Sequence, residues 1–135
     1  MTTVESYLEE VNDYLIDHPQ VDSFRIITER IQVGSTYIRV RLTLVNGSFL
    51  HFTEYREADV DGELQLITYS YQWMNSENVL LTRWDNAEHY PKLPNFPHHL
   101  HNSDEKNVLP GEPMNLFKVL DIIADELKKS SRGPR

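Results

Sequence analysis

The sequence of 135 residues contains no cysteine, which excludes disulfides, thiolate zinc sites, iron–sulfur clusters and cysteine nucleophiles together. No apolar run approaches the roughly 18 residues that suggest a membrane span. The first residues carry neither the basic nor the apolar region of a secretory signal, so we expect a cytoplasmic protein without a membrane partner. The motifs of phosphate-binding loops, dinucleotide-binding folds, serine hydrolases and zinc proteases are also absent. Any chemistry must therefore rest on His, Asp, Glu, Tyr and Arg.

Positive charge is scarce and unevenly placed along the chain. The formal net charge is −8, from 13 Lys+Arg against 21 Asp+Glu, and the first lysine is Lys92. Residues 1–24 hold six acidic residues and no basic one, whereas residues 25–83 hold six arginines. This balance argues against non-specific coating of nucleic acid, because phosphate binding draws on concentrated positive charge. It permits a local phosphate site around Arg83.

The apolar pattern predicts a single α+β domain over residues 1–129, followed by a disordered basic tail over residues 130–135. Helical stripes predict a first helix over residues 3–17 and a second from Pro113 to about Lys129. Between them we expect a five-stranded, mostly antiparallel sheet, with both helices packed on one face. The predicted strands are residues 21–31, 37–45, 48–56, 64–74 and 79–85.

Asn46-Gly47 indicates a hairpin between the second and third predicted strands, because this pair favours a two-residue type I′ turn. Such a turn would pair Arg39 with Glu54, a cross-strand ion pair worth roughly 0.2–1 kcal/mol. It would also place four charged side chains on one face of the sheet: Arg39, Arg41, Glu54 and Arg56.

Aromatic residues alternate along the fourth predicted strand at Tyr69, Tyr71 and Trp73. One interpretation is ordinary packing, since aromatic residues favour strands. The other is a flat platform on which RNA bases stack, because arginines occupy the neighbouring strands. The sequence leaves both interpretations open.

Residues 86–112 break the strand pattern with four prolines, and they hold four of the six histidines: His89, His98, His99 and His101. A long loop of this kind often carries function. The histidines could brace strand ends, or they could bind a metal together with Asp85 or Glu88. In a third interpretation a histidine acts as general acid or base while Arg83 binds a phosphate, which is the chemistry of a metal-independent ribonuclease.

Three motifs resemble the TumE-type toxin family of bacterial toxin–antitoxin systems, and the resemblance extends over residues 4–128. They are Tyr-Ser-Tyr-Gln-Trp at 69–73, Arg-Trp-Asp-Asn-Ala at 83–87 and Phe-Pro-His-His-Leu-His at 96–101. The sequence departs from the family pattern at three positions, where the family tends to have Tyr, Pro and a second His: Trp84, Glu88 and Tyr90.

The resemblance implies a small toxin that acts on RNA and is paired with an antitoxin protein. Taken with the residue chemistry, it predicts an enzyme without a cofactor, whose catalytic residues are His98, His101, Arg83, Asp85 and His89. Substrate-binding roles are expected for Tyr69, Tyr71, Glu54, Asn86 and His99. Two alternatives stay open: a non-catalytic protein-interaction module, and a hydrolase with a divalent metal at the His loop.

Overall fold

The computed structural model describes the backbone of residues 1–132 and the side chains of residues 1–129. It is an α+β domain, as predicted, whose helices are α1 (Val4–Asp17) and α2 (Leu116–Arg132). The strands are β1 (Val21–Gln32), β2 (Ser35–Leu44), β3 (Phe49–Ala58), β4 (Leu64–Met74), β5 (Leu80–Asp85), β6 (His99–Asn102) and β7 (Val108–Pro110). Within the described residues, neither helix is long and apolar enough to cross a membrane.

The sheet has seven strands rather than the five predicted, and each strand pairs antiparallel with the next along the chain. The first five match the predicted segments closely. The two additional strands, β6 and β7, lie inside the stretch predicted as a loop. They have only four and three residues, and they stand among prolines and histidines, so they show no alternation long enough to indicate a strand.

Both helices form where the apolar stripes predict them, but their ends differ. α1 is capped by Thr3, whose Oγ1 accepts the Ser6 N–H at 3.1 Å. α2 begins at Leu116 rather than Pro113, because the Asn115 side chain accepts the Lys118 N–H at 2.9 Å and caps the helix there. α2 continues through Arg132, past the predicted boundary at residue 129. Residues 133–135 of the predicted tail lie outside the described residues.

The β2–β3 hairpin differs from the predicted two-residue turn by one residue. Gly47 has a φ of 86° and donates its N–H to the Leu44 carbonyl at 2.9 Å, while the Leu44 N–H bonds to Ser48 at 2.8 Å. The loop therefore has three residues and ends in a left-handed glycine. Arg39 lies opposite Thr53, not Glu54. This shift turns Glu54 and Arg56 to the face opposite Arg39 and Arg41, so the predicted Arg39–Glu54 pair is wrong.

The hydrophobic core lies between one face of the sheet and the two helices, as predicted. On this face the strands contribute alternate residues of β2 and β4, and the helices contribute their apolar stripes. Tyr14 of α1 and Phe117 of α2 join the helices through an edge-to-face contact with ring centroids 4.7 Å apart. The fully buried core residues include Val40, Leu42, Leu50, Phe52, Tyr71, Leu116, Leu120 and Ile123.

The opposite face of the sheet, here called the open face, carries two rows of polar side chains that cross the strands. Directly opposite residues of neighbouring strands point to the same side, so the register defines each row. The first row is Arg25, Arg41, His51, Gln72, Arg83 and His101. The second row is Arg39, Thr53, Ser70, Asp85 and His99.

Candidate functional site

The two rows end at β5 and β6 in a group of four side chains that we call the Asp85 cluster: Arg83, Asp85, His99 and His101. Arg83 lies opposite His101 and Asp85 lies opposite His99, so two strands with residues spaced two apart bring all four together. Asp85 Oδ1 is 2.9 Å from His99 Nε2, and Asp85 Oδ2 is 3.5 Å from His101 Nε2. Asp85, His99 and His101 are buried, with exposed fractions of 7%, 3% and 3%. One carboxylate thus faces two imidazoles away from bulk water.

Backbone carbonyls define the orientation of both imidazoles in the cluster. His99 Nδ1 is 2.9 Å from the Pro97 oxygen, and His101 Nδ1 is 2.8 Å from the Glu105 oxygen. A carbonyl oxygen only accepts hydrogen bonds, so each Nδ1 carries a proton. In a neutral ring each Nε2 then presents a lone pair on the side of Asp85. The Asp85–His99 contact is short, yet it is not aligned as a hydrogen bond, and His99 Nε2 is a buried atom without a hydrogen-bond partner.

Arg83 connects the cluster to a surface loop. Its Nε donates to Asp85 Oδ2 at 3.2 Å, and its Nη1 and Nη2 form a two-pronged contact with the Glu105 carboxylate, the second at 2.7 Å. Burial lowers the pKa of Arg83, but the hydrogen bond to Glu105 and the neighbouring carboxylates outweigh it and raise the pKa overall. The same hydrogen bond lowers the pKa of Glu105. The guanidinium therefore stays charged and already holds an anion in the geometry that a phosphate would take.

A cleft of about 450 Å³ adjoins the cluster and is lined by Arg83, Asp85 and His101, with His89, Tyr90, Gln72 and Glu105 around them. The Tyr90 ring stands edge-on to the His99 and His101 rings, with centroids 5.0 and 6.2 Å away. His89 is exposed and its ring also stands edge-on to the Tyr90 ring, with centroids 6.2 Å apart. The cleft therefore brings four of the predicted catalytic residues to one place.

His98, the fifth predicted catalytic residue, lies elsewhere. Its Nδ1 is 2.7 Å from the Tyr69 hydroxyl, on the side of the sheet that the helices cover, and that hydroxyl also accepts the Met114 N–H at 3.4 Å. Burial lowers the pKa of His98 and raises the pKa of Tyr69 to about 12. Asn86 supports this second group by accepting the Tyr69 backbone N–H at 2.9 Å. The structure does not bring His98 to the Asp85 cluster.

Glu54 and Tyr71, predicted to bind substrate, belong to the core. Glu54 accepts hydrogen bonds from the hydroxyls of Tyr71, at 2.6 Å, and Tyr7, and from Arg56 Nε at 3.2 Å. We call these four residues the Glu54 cluster. Burial raises the pKa of both tyrosines well above the ordinary value. Tyr71 is fully buried, so its ring packs in the core and offers no stacking surface; the arrangement of its strand fits the packing interpretation.

Comparison with known proteins identifies the family. The family model described as Toxin TumE matches residues 11–131. This chain belongs to the TumE toxin family. No curated protein and no solved structure matches it. The resemblance on the three motifs is therefore confirmed, and these motifs can be placed in a TumE fold: those at 83–87 and 96–101 form the Asp85 cluster, while the one at 69–73 packs in the core.

Two residues around the Asp85 cluster were not identified from the sequence. Tyr90 packs against both imidazoles of the cluster. The family pattern tends to have a second histidine at this position, and that departure could have indicated that residue 90 lies near the cluster. Glu105 holds Arg83 from the loop after β6, and an acidic pair in a loop, here Asp104 and Glu105, is too common to indicate a site. In the described part of the chain, one group of His and acidic side chains is close enough to hold a metal: Asp85, His99 and His101.

Proposed function

We propose that this toxin-family protein cleaves RNA and that the Asp85 cluster, with His89, is its catalytic centre. The observation that carries the proposal is the cleft beside this cluster, in which a charged arginine fork and an imidazole with an oriented Nε2 lie beside the same carboxylate. Phosphodiester cleavage with the neighbouring 2′-hydroxyl as nucleophile needs a base, an acid and a group that binds the charged phosphate. The cleft contains residues of all three kinds.

In the proposed reaction His101 Nε2 removes the proton of the 2′-hydroxyl, and this oxygen attacks the phosphorus. His89 donates a proton to the 5′-oxygen as the bond from phosphorus to that oxygen breaks. The products are a 2′,3′-cyclic phosphate and a free 5′-hydroxyl. Arg83 stabilises the extra negative charge of the pentavalent phosphorane through two parallel hydrogen bonds. Each proton removed from one oxygen is matched by one delivered to the other.

Asp85 and His99 act as positioning residues in this scheme. Asp85 lies between Arg83 Nε and the two imidazoles, so it orients the guanidinium and stabilises His101 when that ring gains a proton. His99 is as buried as His101 but, unlike His101, does not line the cleft, which keeps it from contact with substrate. It limits where the Asp85 carboxylate can move.

The open face supports an RNA substrate. Arg39 and Arg41 are exposed on β2, three strands away from Arg83 on β5, which corresponds to roughly 14 Å at the usual strand spacing. Between them lie His51 and Gln72, and Arg39 Nε donates to His51 Nε2 at 2.9 Å. A single strand of RNA lying along these rows would place its phosphates near Arg83 in the cleft and near the two arginines of β2 on one side of it. The acidic residues of α1 are on the other side of the sheet.

The partner that a toxin family implies is an antitoxin, and we propose that such a protein restrains the RNA cleavage. The proposal makes a simple cellular prediction: expression of the chain alone arrests growth, and the arrest requires Arg83 and His101. Co-expression of the cognate antitoxin restores growth without changing the amount of toxin.

The experiment that tests the function uses purified protein and a single-stranded RNA of defined sequence. We expect cleavage that leaves 2′,3′-cyclic phosphate ends. We expect His101→Ala, His89→Ala and Arg83→Ala each to lower its rate by about 10²-fold or more. His98→Ala is the matched control, because His98 lies on the other side of the sheet beside Tyr69. If the wild-type protein leaves RNA intact, or if His101→Ala cleaves as fast as wild type, the proposal is wrong.

A further inference from the structure

We propose that Asp85, His99 and His101 also form a binding site for a divalent transition-metal ion of the zinc type, and that this ion switches off RNA cleavage. The inference that the ion inhibits rests on the proposed function, because the metal would take the Nε2 lone pair that the reaction needs. The inference that the ion binds rests only on the geometry of the three side chains.

The first support is the direction of the lone pairs. Each imidazole donates its Nδ1–H to a backbone carbonyl, Pro97 for His99 and Glu105 for His101. This is the arrangement by which proteins orient metal-binding histidines, because it leaves Nε2 free to coordinate. An ionised Asp85 has no proton to donate to those nitrogens. The Nε2 atoms of neutral imidazoles and the carboxylate oxygens of Asp85 are then hydrogen-bond acceptors that face each other. A cation between these acceptors would be coordinated by them, which removes the repulsion.

The second support is an independent sign of a missing partner. His99 Nε2 is buried, has no hydrogen-bond partner, and belongs to a side chain that is only 2% exposed. A buried polar atom without a partner is costly, and native proteins rarely leave one. Asp85 Oδ1 lies 2.9 Å from this nitrogen, but the two atoms are not aligned as a hydrogen bond. A metal ion would satisfy this nitrogen.

The third support is distance. One ligand atom from each of Asp85, His99 and His101 lies within 4.8 Å of the other two. Asp85 contacts His99 Nε2 through Oδ1 at 2.9 Å and His101 Nε2 through Oδ2 at 3.5 Å. Ligand atoms on a tetrahedral zinc ion are about 3.3 Å apart, so one oxygen and two nitrogens need to approach each other by at most about 1.5 Å. Two imidazoles and a carboxylate suit zinc, cobalt or nickel, whereas magnesium prefers an all-oxygen octahedron.

Charge near the site is compatible with a cation. Arg83 Nε lies 3.2 Å from Asp85 Oδ2 and by itself would oppose a metal. The guanidinium is also bound by Glu105, so one positive group stands beside two carboxylates. Three protein ligands leave a fourth tetrahedral position, which a water molecule can fill.

The test measures metal binding and RNA cleavage on the same preparation. Full-length protein is purified without a His tag, stripped with a chelator, and titrated with ZnCl₂ by calorimetry and with CoCl₂ by visible absorption. We expect one ion per chain, cobalt bands typical of tetrahedral coordination, and binding at least about tenfold weaker in His99→Ala and in His101→Asn. His98→Ala and His18→Ala are the controls, and MgCl₂ is expected to leave the calorimetric signal at baseline. Circular dichroism establishes that each variant is folded.

RNA cleavage is then followed as zinc is added to the stripped protein. We expect the rate to fall in proportion to occupancy of the site and to return when the chelator is added. If wild type and the folded His99→Ala variant bind zinc equally, the site is wrong, whatever RNA does. If zinc binds and cleavage rises, the site is supported while inhibition and metal-free chemistry are both wrong. If zinc binds and RNA is never cleaved, the site is supported and the proposed function fails.

Discussion

Two clusters built around a single carboxylate lie on opposite faces of the same sheet, and they differ in what surrounds that carboxylate. Glu54 receives hydrogen bonds from two tyrosine hydroxyls and an arginine, and it is 1% exposed. Asp85 faces an arginine and two imidazoles whose protons point away from it, beside a cleft. In the first cluster every partner donates a proton, so it holds structure together. In the Asp85 cluster, the Nε2 lone pairs of the imidazoles are not used by donors, and the cleft gives access to the cluster. A reactive site needs both features.

The largest expected effect tests the reactive side of this comparison. His101→Ala should lower the rate of RNA cleavage by about 10²–10⁴-fold, because the general base is removed, while the fold is retained. Single-turnover cleavage at saturating protein measures the rate without interference from binding. His98→Ala should cleave at the wild-type rate. Equal losses in both variants would contradict the separation of the two histidines by the sheet.

The next effect tests the structural side. Glu54→Ala should lower the free energy of unfolding by about 3–5 kcal/mol, because Arg56 and two tyrosine hydroxyls are left buried without their acceptor. Urea unfolding followed by circular dichroism measures the change. Glu57→Ala, on the same strand and exposed, should change stability by no more than about 0.5 kcal/mol. A Glu54 variant as stable as wild type but unable to bind RNA would instead return Glu54 to the functional site.

The contrast between the clusters also shows what the sequence could predict. Strict alternation in β2 and β4 and the two helical stripes predicted the helices, the long strands and the face that the helices cover. Alternation within one strand cannot reveal which residues of the next strand point to the same side of the sheet, because that depends on the geometry of the turn between them. A three-residue loop in place of a two-residue one moved Glu54 and Arg56 from the open face into the core.

The composition of the site was predicted better than its geometry. Arg83, Asp85 and His101 were named from the sequence, and the structure brings them together, but β6, which has only four residues in a proline-rich stretch, was not predicted. Without that strand, His98 was predicted to be catalytic and His99 to bind substrate. Neighbouring residues at the start of a strand point to opposite faces, which explains why His98 meets Tyr69 while His99 meets Asp85. Glu105 was beyond prediction because its interaction with Arg83 depends on the folded chain.

A moderate effect distinguishes the Asp85 cluster from the arginines of β2 on the same face of the sheet. Arg39→Ala with Arg41→Ala should raise KM for RNA and leave kcat unchanged, because these side chains are three strands from Arg83. The slope of log affinity against log salt concentration should become shallower by about 0.7 for each phosphate that the variant no longer binds. Lys129→Ala is the control, since Lys129 lies on α2, on the other face of the sheet, and its side chain is 70% exposed. An equal effect of Lys129→Ala would show that only net charge matters.

The smallest effect concerns the anion that Arg83 already holds. Glu105→Gln should lower KM for RNA by about two- to fivefold, because an exposed ion pair of less than about 1 kcal/mol no longer competes with the incoming phosphate. Stability should change little, since the Glu105 side chain is 60% exposed. The backbone carbonyl of Glu105 still accepts the His101 Nδ1–H, so the orientation of that imidazole is retained. Initial rates over a range of RNA concentrations measure KM and kcat separately. A rise in KM would mean that Glu105 holds Arg83 in the position that binds phosphate rather than occupying the phosphate site. The two-pronged contact would then have a structural role, like the hydrogen bonds of the Glu54 cluster.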